Sequence, residues 1–395
     1  MTAELPPDLQ EFDKEIEKLH GPGITMRGCD SPLVNHIPTG IFILDFALLG
    51  GIAQGYVAMV YGYHSTGKTL NLLRVVAEYQ KKNPEKWVGF LDCEGMWDKV
   101  WAEKNGVDTS RVLVQQPEYG ELAVDLYESM MQRESIGMII VDSIPHMVPA
   151  KVLENSAEDD TMAAGPRLMG KFCSKLTMGN NRERRKGHWI TTLLVNQYRS
   201  KVGFVLGNPL TLPGGFQLNH IPTTKIKLTL SKTHMGKDRY ENEVVSHTVA
   251  GFLLEKVKHG QSIRSGEYQV CLNADDAAGI PEGAVDNYPT VVAYAKRMGY
   301  VHGSGGSWKL LTENLASKRS RLLASGEMES NEVVTHTVFA RLDMIIAYLK
   351  DDYEEYSTLA RSLIATQRVI KGLPPLPPDG YLISHVGRLV LDPQP

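Results

Sequence analysis

Residues 33–231 predict an α/β domain with a largely parallel sheet, and three observations carry that prediction. Short β-branched or apolar runs at 56–61, 87–92, 138–142 and 191–196 are each followed by a segment of helical character, the alternation that parallel βαβ units require. The glycine-bearing loop 62–69 lies between the first run and a segment that places Leu72, Val75, Val76 and Tyr79 on one helical face. Three of the runs end in polar residues, Asp92, Asp142 and Asn196, and in open α/β sheets ligands sit at the carboxyl ends of the strands.

Ahead of this domain, residues 1–30 read as an appended arm. Leu9, Phe12, Ile16 and Leu19 recur at helical spacing among charged residues, and Gly21-Pro22-Gly23 breaks the helix. Its apolar face needs a surface to pack on. Residues 225–272 read as further strands, with polar and apolar positions alternating from Lys225 to Leu230. Beyond Gly279, a Gly-rich turn at 303–306 and helices near 291–298 and 339–349 predict a small α+β unit. The predicted divisions are 1–30, 31–279 and 280–371, followed by an extended Pro-rich tail, 372–395.

The 395 residues are 42% hydrophobic and 22% charged, proportions of a globular chain with ample core. No apolar run approaches the roughly 18 residues of a membrane span, and residues 1–18 hold no uninterrupted apolar stretch. These features predict a soluble, intracellular protein with no secretory signal and no membrane partner. Cys29, Cys93, Cys173 and Cys271 form no Cys-x-x-Cys pair, which counts against a zinc site or a disulfide framework. Lys and Arg total 42 against 46 Asp and Glu, a formal charge of −4. As a whole-chain average, that balance counts against a nucleic-acid binder.

Gly62-Tyr63-His64-Ser65-Thr66-Gly67-Lys68-Thr69 fits the phosphate-loop pattern. Its backbone N–H groups wrap phosphates, Lys68 reaches the terminal ones and Thr69 holds Mg2+. The run 138–142 ends in Asp142, placed to reach the same cation. Two further strand ends supply Glu94, a candidate general base for an attacking water, and Gln197, a candidate sensor of the γ-phosphate.

The segment from Asn196 through Pro209, followed by Gly214-Gly215, resembles the second DNA-binding loop of the RecA family of strand-exchange recombinases, which includes phage UvsX-type members. Leu91-Asp92-Cys93-Glu94-Gly95-Met96-Trp97-Asp98 is similar to the family's catalytic-glutamate segment, and the N-terminal helix with residues 23–27 to its polymerisation arm. Residues 291–309 and 347–350 resemble its C-terminal domain, so the likeness covers about residues 8–366. The resemblance implies a RecA-like P-loop ATPase core that uses ATP and Mg2+, an N-terminal polymerisation helix and a small α+β C-terminal domain. It implies a DNA-dependent ATPase that forms a helical filament on single-stranded DNA, pairs it with homologous duplex and exchanges strands in recombination and repair. Such a protein works in the cytoplasm of a bacterium or a phage-infected host, with single-strand-binding and loading proteins as further partners.

Residue by residue, the resemblance gives Asp98 and Trp101 contacts to adenine, and Lys256 and Lys258 a reach across the subunit interface to a neighbour's ATP. The first DNA loop falls at 154–165, with Met162 and Arg167 as contacts. The second contributes Arg199, Ser200, Lys201, Val202, Gly203, Phe204, Asn208, Gly214 and Gly215. There Arg199 and Lys201 suit phosphates, while Val202 and Phe204 suit gaps between bases. Leu210, His220 and Trp101 depart from the family's usual residues, and Arg182-Glu183-Arg184-Arg185-Lys186 reads as a solvated basic run, with capture of duplex DNA as the alternative. A ring helicase on the same core and a filament protein without exchange activity are the competing readings.

Overall fold

A computed structural model describes residues 4–154, 163–200, 210–237, 241–273, 282–304, 306–311, 336–339 and 341–374. Its centre is a nine-stranded sheet. The strands in chain order are β1 (Val57–Gly62), β2 (Trp87–Asp92), β3 (Val112–Gln115), β4 (Ile136–Asp142), β5 (Thr191–Gln197), β6 (Thr224–Lys237), β7 (Glu243–Val257), β8 (Ser265–Cys271) and β9 (Val285–Asp286). Their spatial order is β9-β8-β7-β6-β1-β5-β4-β2-β3. From β6 to β3 every pairing is parallel, and from β6 to β9 every pairing is antiparallel.

The four runs read as strands become β1, β2, β4 and β5, with bounds moved by at most two residues. They are apolar almost throughout because both faces of a parallel sheet are covered. Ala58 and Val60 join one buried cluster with Leu72, Val76, Phe90 and Ile140. The alternate residues Val57 and Met59 join another with Leu91, Ile139, Tyr127 and Phe172. The helix Lys68–Lys82 covers the first face, and Gly120–Met131 with Ala164–Arg185 covers the second.

The arm forms the helix Pro7–His20, stopped by Gly21 at φ 88°. Its apolar stripe stays uncovered, with Leu9, Phe12 and Leu19 at 46%, 51% and 65% exposure.

Three readings of the sequence are corrected. The division at 279 falls short of the main sheet's last strand, because β9 still pairs with β8 through Gln269–Asp286 and Val270–Val285. The helix expected at 339–349 splits into the strand His336–Phe339 and the helix Leu342–Asp351, since Phe339 pairs with Trp308 in a three-stranded sheet. The basic run at 182–186 is not simply solvated. Glu183 is buried between Arg182 and Lys186, each at 3.0 Å, and the Arg184 guanidinium stacks 4.4 Å from the Tyr56 ring. The tail beyond 374 lies outside the described residues.

The C-terminal elements share one apolar cluster with Phe42 and Phe46 of the core. Buried Asn287 fastens the junction, its Oδ1 accepting from the Phe42 N–H at 2.9 Å and its Nδ2 donating to the Gly40 carbonyl at 3.0 Å. Among the described residues, no helix is long and apolar enough to cross a membrane. Asn287→Ala strands two buried backbone groups and is expected to cost about 2–4 kcal/mol, read as a lower urea midpoint at unchanged slope.

Candidate active site and nucleic-acid interface

Parallel registry brings the strand ends to one edge. Gly62 stands opposite Gln197, and Asp92 opposite Asp142. A cleft of about 550 Å³ opens there, lined by His64 through Thr69, Glu94, Trp101, Asp142 and Gln197.

The phosphate loop leaves β1 at Gly62, where a Cβ would come within 2.5 Å of the Leu228 carbonyl oxygen. It enters the helix through Gly67 at φ 77°, in the left-handed region. The helix N-terminus favours an anion in the cleft. Lys68 Nζ donates to the loop's own Tyr63 carbonyl at 2.6 Å, and burial lowers its pKa against the opposing pull of the Asp142 and Glu94 carboxylates. Thr69 Oγ1 donates to Asp142 Oδ2 at 3.1 Å. Mg2+ is usually held by one or two side-chain oxygens plus substrate phosphates, and this pair fits that donor set. Burial pushes the Asp142 carboxyl up to about 6.

Glu94 rides on a turn fastened by buried Asp92. The Asp92 carboxylate accepts from the N–H groups of Met96 and Trp97 at 3.0 Å each and from Gln116 Nε2 at 2.8 Å. Glu94 Oε2 lies 3.6 Å from His146 Nδ1, which bonds Ser143 Oγ at 2.8 Å. Gln197 Nε2 reaches the same Oγ at 3.4 Å. Trp101 forms part of the cleft wall, while the Asp98 carboxylate accepts from the Trp101 N–H at 3.0 Å and caps the helix Lys99–Lys104.

Lys256 and Lys258 stand apart from this chain's own cleft. Lys256 pairs with Lys225, whose parallel partner on β1 is Met59, whereas the phosphate loop begins at Gly62. That is three residues, or about 10 Å, along the strands. Lys256 Nζ instead donates to the His220 carbonyl at 2.5 Å, and the Lys258 N–H donates to the Thr223 carbonyl.

The family model of the RecA N-terminal domain matches residues 8–271. The chain is 35% identical over 246 residues to Protein RecA of Petrotoga mobilis, covering 61% of this chain and 65% of that protein. It is 35% identical over 251 residues to Protein RecA of Heliobacterium modesticaldum, covering 61% and 70%. With Protein RecA of Arthrospira platensis the identity is 28% over 336 residues, covering 84% and 86%. The chain belongs to the RecA family.

Against the family's second loop, the stem is described and the tip is not. Lys201, Val202, Gly203, Phe204 and Asn208 lie outside the described residues, as does Met162 of the first loop. The stem is a short ladder joining Arg199 to Thr211 and Ser200 to Leu210. Asn196 Nδ2 closes it by donating to the Pro213 carbonyl at 2.9 Å. The Arg199 guanidinium donates to the Pro145 carbonyl at 2.7 Å. Tyr198 packs 5.1 Å from Tyr63 and 5.7 Å from Tyr61, so the stem touches the phosphate loop directly. Gly214 and Gly215 line an apolar groove of about 420 Å³ with Pro166 and Met169, and Arg167 stands exposed beside it on the first turn of Ala164–Arg185. Of the departures from the family's pattern, Trp101 lines the cleft, Leu210 sits in the stem ladder and His220 stacks 4.1 Å from Phe216.

Sequence reasoning gave no role to Ser143, His146 or Phe216, which carry no signal until the fold assembles them. Asp92 and Tyr198 stood out only as a strand end and as part of the loop segment, and their contacts come from the fold.

The raised Asp142 carboxyl has a stability consequence. Between about pH 4 and 6 the folded protein keeps a proton that the unfolded chain has released, so stability falls as pH rises through that window and stays lower above it. Asp142→Asn is therefore expected to stabilise the nucleotide-free protein at pH 7.5 by up to about 2–3 kcal/mol. Melting curves in chelator should show that gain fading towards pH 4; a variant melting below wild type at pH 7.5 contradicts it.

Proposed function

We propose that this chain is an ATP-dependent recombinase that assembles on single-stranded DNA, pairs it with homologous duplex and exchanges strands in recombination and repair. The observation that carries this reading is the joining of cleft and loop: Gln197 lines the cleft, and the stem of the second loop begins two residues later. The same few residues thus join a nucleotide site to a segment whose sequence carries cations and apolar side chains.

ATP binds with its phosphates on the loop 62–69, neutralised by Lys68, and its base beside Trp101 of the cleft wall, next to Asp98 at the start of the same helix. Thr69 and Asp142 would hold Mg2+, which would supply neutralisation of the charge that develops on the transferred phosphoryl group. Glu94 takes a proton from the water that attacks the γ-phosphorus, and ADP leaves on the opposite side. Lys256 and Lys258, remote from their own cleft, act in a neighbouring subunit's cleft, which makes hydrolysis depend on assembly. The uncovered stripe of Pro7–His20 docks on that neighbour.

Arg167, Arg199 and Lys201 hold DNA phosphates, with Ser200, Gly203, Asn208, Gly214 and Gly215 close to the backbone. Val202 and Phe204 enter gaps between bases, and Met162 contacts the strand from the first loop. Such contacts position a strand without reading it, and sequence is read by base pairing. Single-strand-binding and loading proteins complete the set of partners, in the cytoplasm of a bacterium or an infected bacterial host.

Negative-stain imaging with single-stranded DNA and ATP, paired with a strand-exchange assay, tests this reading. Wild type should form helical filaments and exchange strands, Lys68→Ala should lose both, and Glu94→Gln should form filaments that hydrolyse ATP at least about a hundredfold more slowly. Closed hexamers that unwind forks, or wild-type filaments that never exchange strands, overturn it.

A further inference from the structure

His146 has no place in the roles assigned above. It ends the short turn Ile144–His146 that follows β4, and its imidazole is about one-third exposed. One ring nitrogen, Nδ1, faces two partners: Ser143 Oγ at 2.8 Å and Glu94 Oε2 at 3.6 Å. The first separation is a hydrogen bond, and the second is just too long for one. Fully buried Ser143 also receives the Gln197 amide at 3.4 Å. Pro145, in the same turn, holds Arg199 of the loop stem. A continuous string therefore runs from Glu94 in the cleft to the start of the second loop.

We propose that His146 is a positioning residue that fixes the Glu94 carboxylate, and that Gln197 controls its availability through Ser143. This rests on the ATPase reading given above. In the tautomer with its proton on Nδ1, that N–H points at one acceptor at a time, so His146 serves either Ser143 or Glu94. In the described arrangement it is tied to Ser143, which Gln197 steadies from the other side. When Gln197 turns to a terminal phosphate, that support is withdrawn. A movement of less than about 1 Å then passes the Nδ1–H to Glu94, because a charged acceptor holds a donor more strongly than a hydroxyl does. Glu94 becomes fixed towards the attacking water only when a triphosphate is present. Arg199 ties the same turn to the DNA loop, so a strand bound there favours the same rearrangement.

The test is ATP hydrolysis by the full chain with and without single-stranded DNA, in single-turnover and steady-state form. It compares wild type, His146→Ala, His146→Gln, Glu94→Gln and the double variant His146→Ala with Glu94→Gln. Loss of positioning is expected to lower the DNA-stimulated kcat about tenfold in His146→Ala while KM for ATP stays within about twofold. His146→Gln, whose amide can donate from a similar place, should recover most of that loss, and His146→Ala should add nothing on top of Glu94→Gln. Wild-type stimulation retained in His146→Ala, equal impairment of the Ala and Gln variants, or two losses that multiply each overturn the relay and leave the ATPase reading standing. Wild type that hydrolyses ATP no faster with DNA sinks the reading of function, and the relay falls with it.

Discussion

Everything in the cleft depends on the parallel registry of β1, β5, β4 and β2. Neighbouring strands lie about 4.8 Å apart, so strands ending at one level place their terminal groups within reach of one nucleotide. Gly62 opposite Gln197 and Asp92 opposite Asp142 fix that level. A slip of one residue turns each side chain to the other face. It would carry Val60 and Ile140 out of one buried cluster and Met59 and Ile139 out of the other. Packing on both faces thus holds the register, and the register builds the site.

Much of this was legible because short-range chemistry specifies it. Apolar runs ending in Asp92, Asp142 and Asn196 mark strands and their open ends, and the spacing of Gly62, Gly67, Lys68 and Thr69 marks a loop that turns into a helix. The gathering of Glu94, Asp142 and Gln197 around one cleft follows once those strands are parallel neighbours. The sequence could not show what happens between elements distant in the chain. His146 meets Glu94 across 52 positions, and Tyr198 meets Tyr63 across 135. The division at 279, the helix expected from Phe339 and the exposure of Glu183 were misread for the same reason: each is decided by a partner strand or cation rather than by local pattern.

The charge balance of −4 shows how little a chain average says about a surface. Several cations are already engaged within the fold, such as Arg182 and Lys186 on Glu183, Arg111 on Asp108 and Lys104 on Glu282. Arg167 stands exposed beside an apolar groove, and Arg199 is held near it by a neutral carbonyl, that of Pro145, rather than by a carboxylate. Electrostatic attraction of a strand depends on such local placement within roughly a Debye length, and an acidic average elsewhere does not cancel it.

The central claim is that the nucleotide cleft and the DNA loop are one coupled device, joined at Gln197, Tyr198 and Arg199. Coupling between binding sites is reciprocal, so it can be read from DNA affinity alone. The direct measurement is the Kd for a short single-stranded oligonucleotide with a non-hydrolysable ATP analogue and with ADP, at fixed salt, in wild type and Gln197→Ala. Coupled sites require at least about tenfold tighter binding with the ATP analogue in wild type, and a gap that closes in the variant. Equal affinities in the two nucleotide states, or a gap untouched by Gln197→Ala, contradict it.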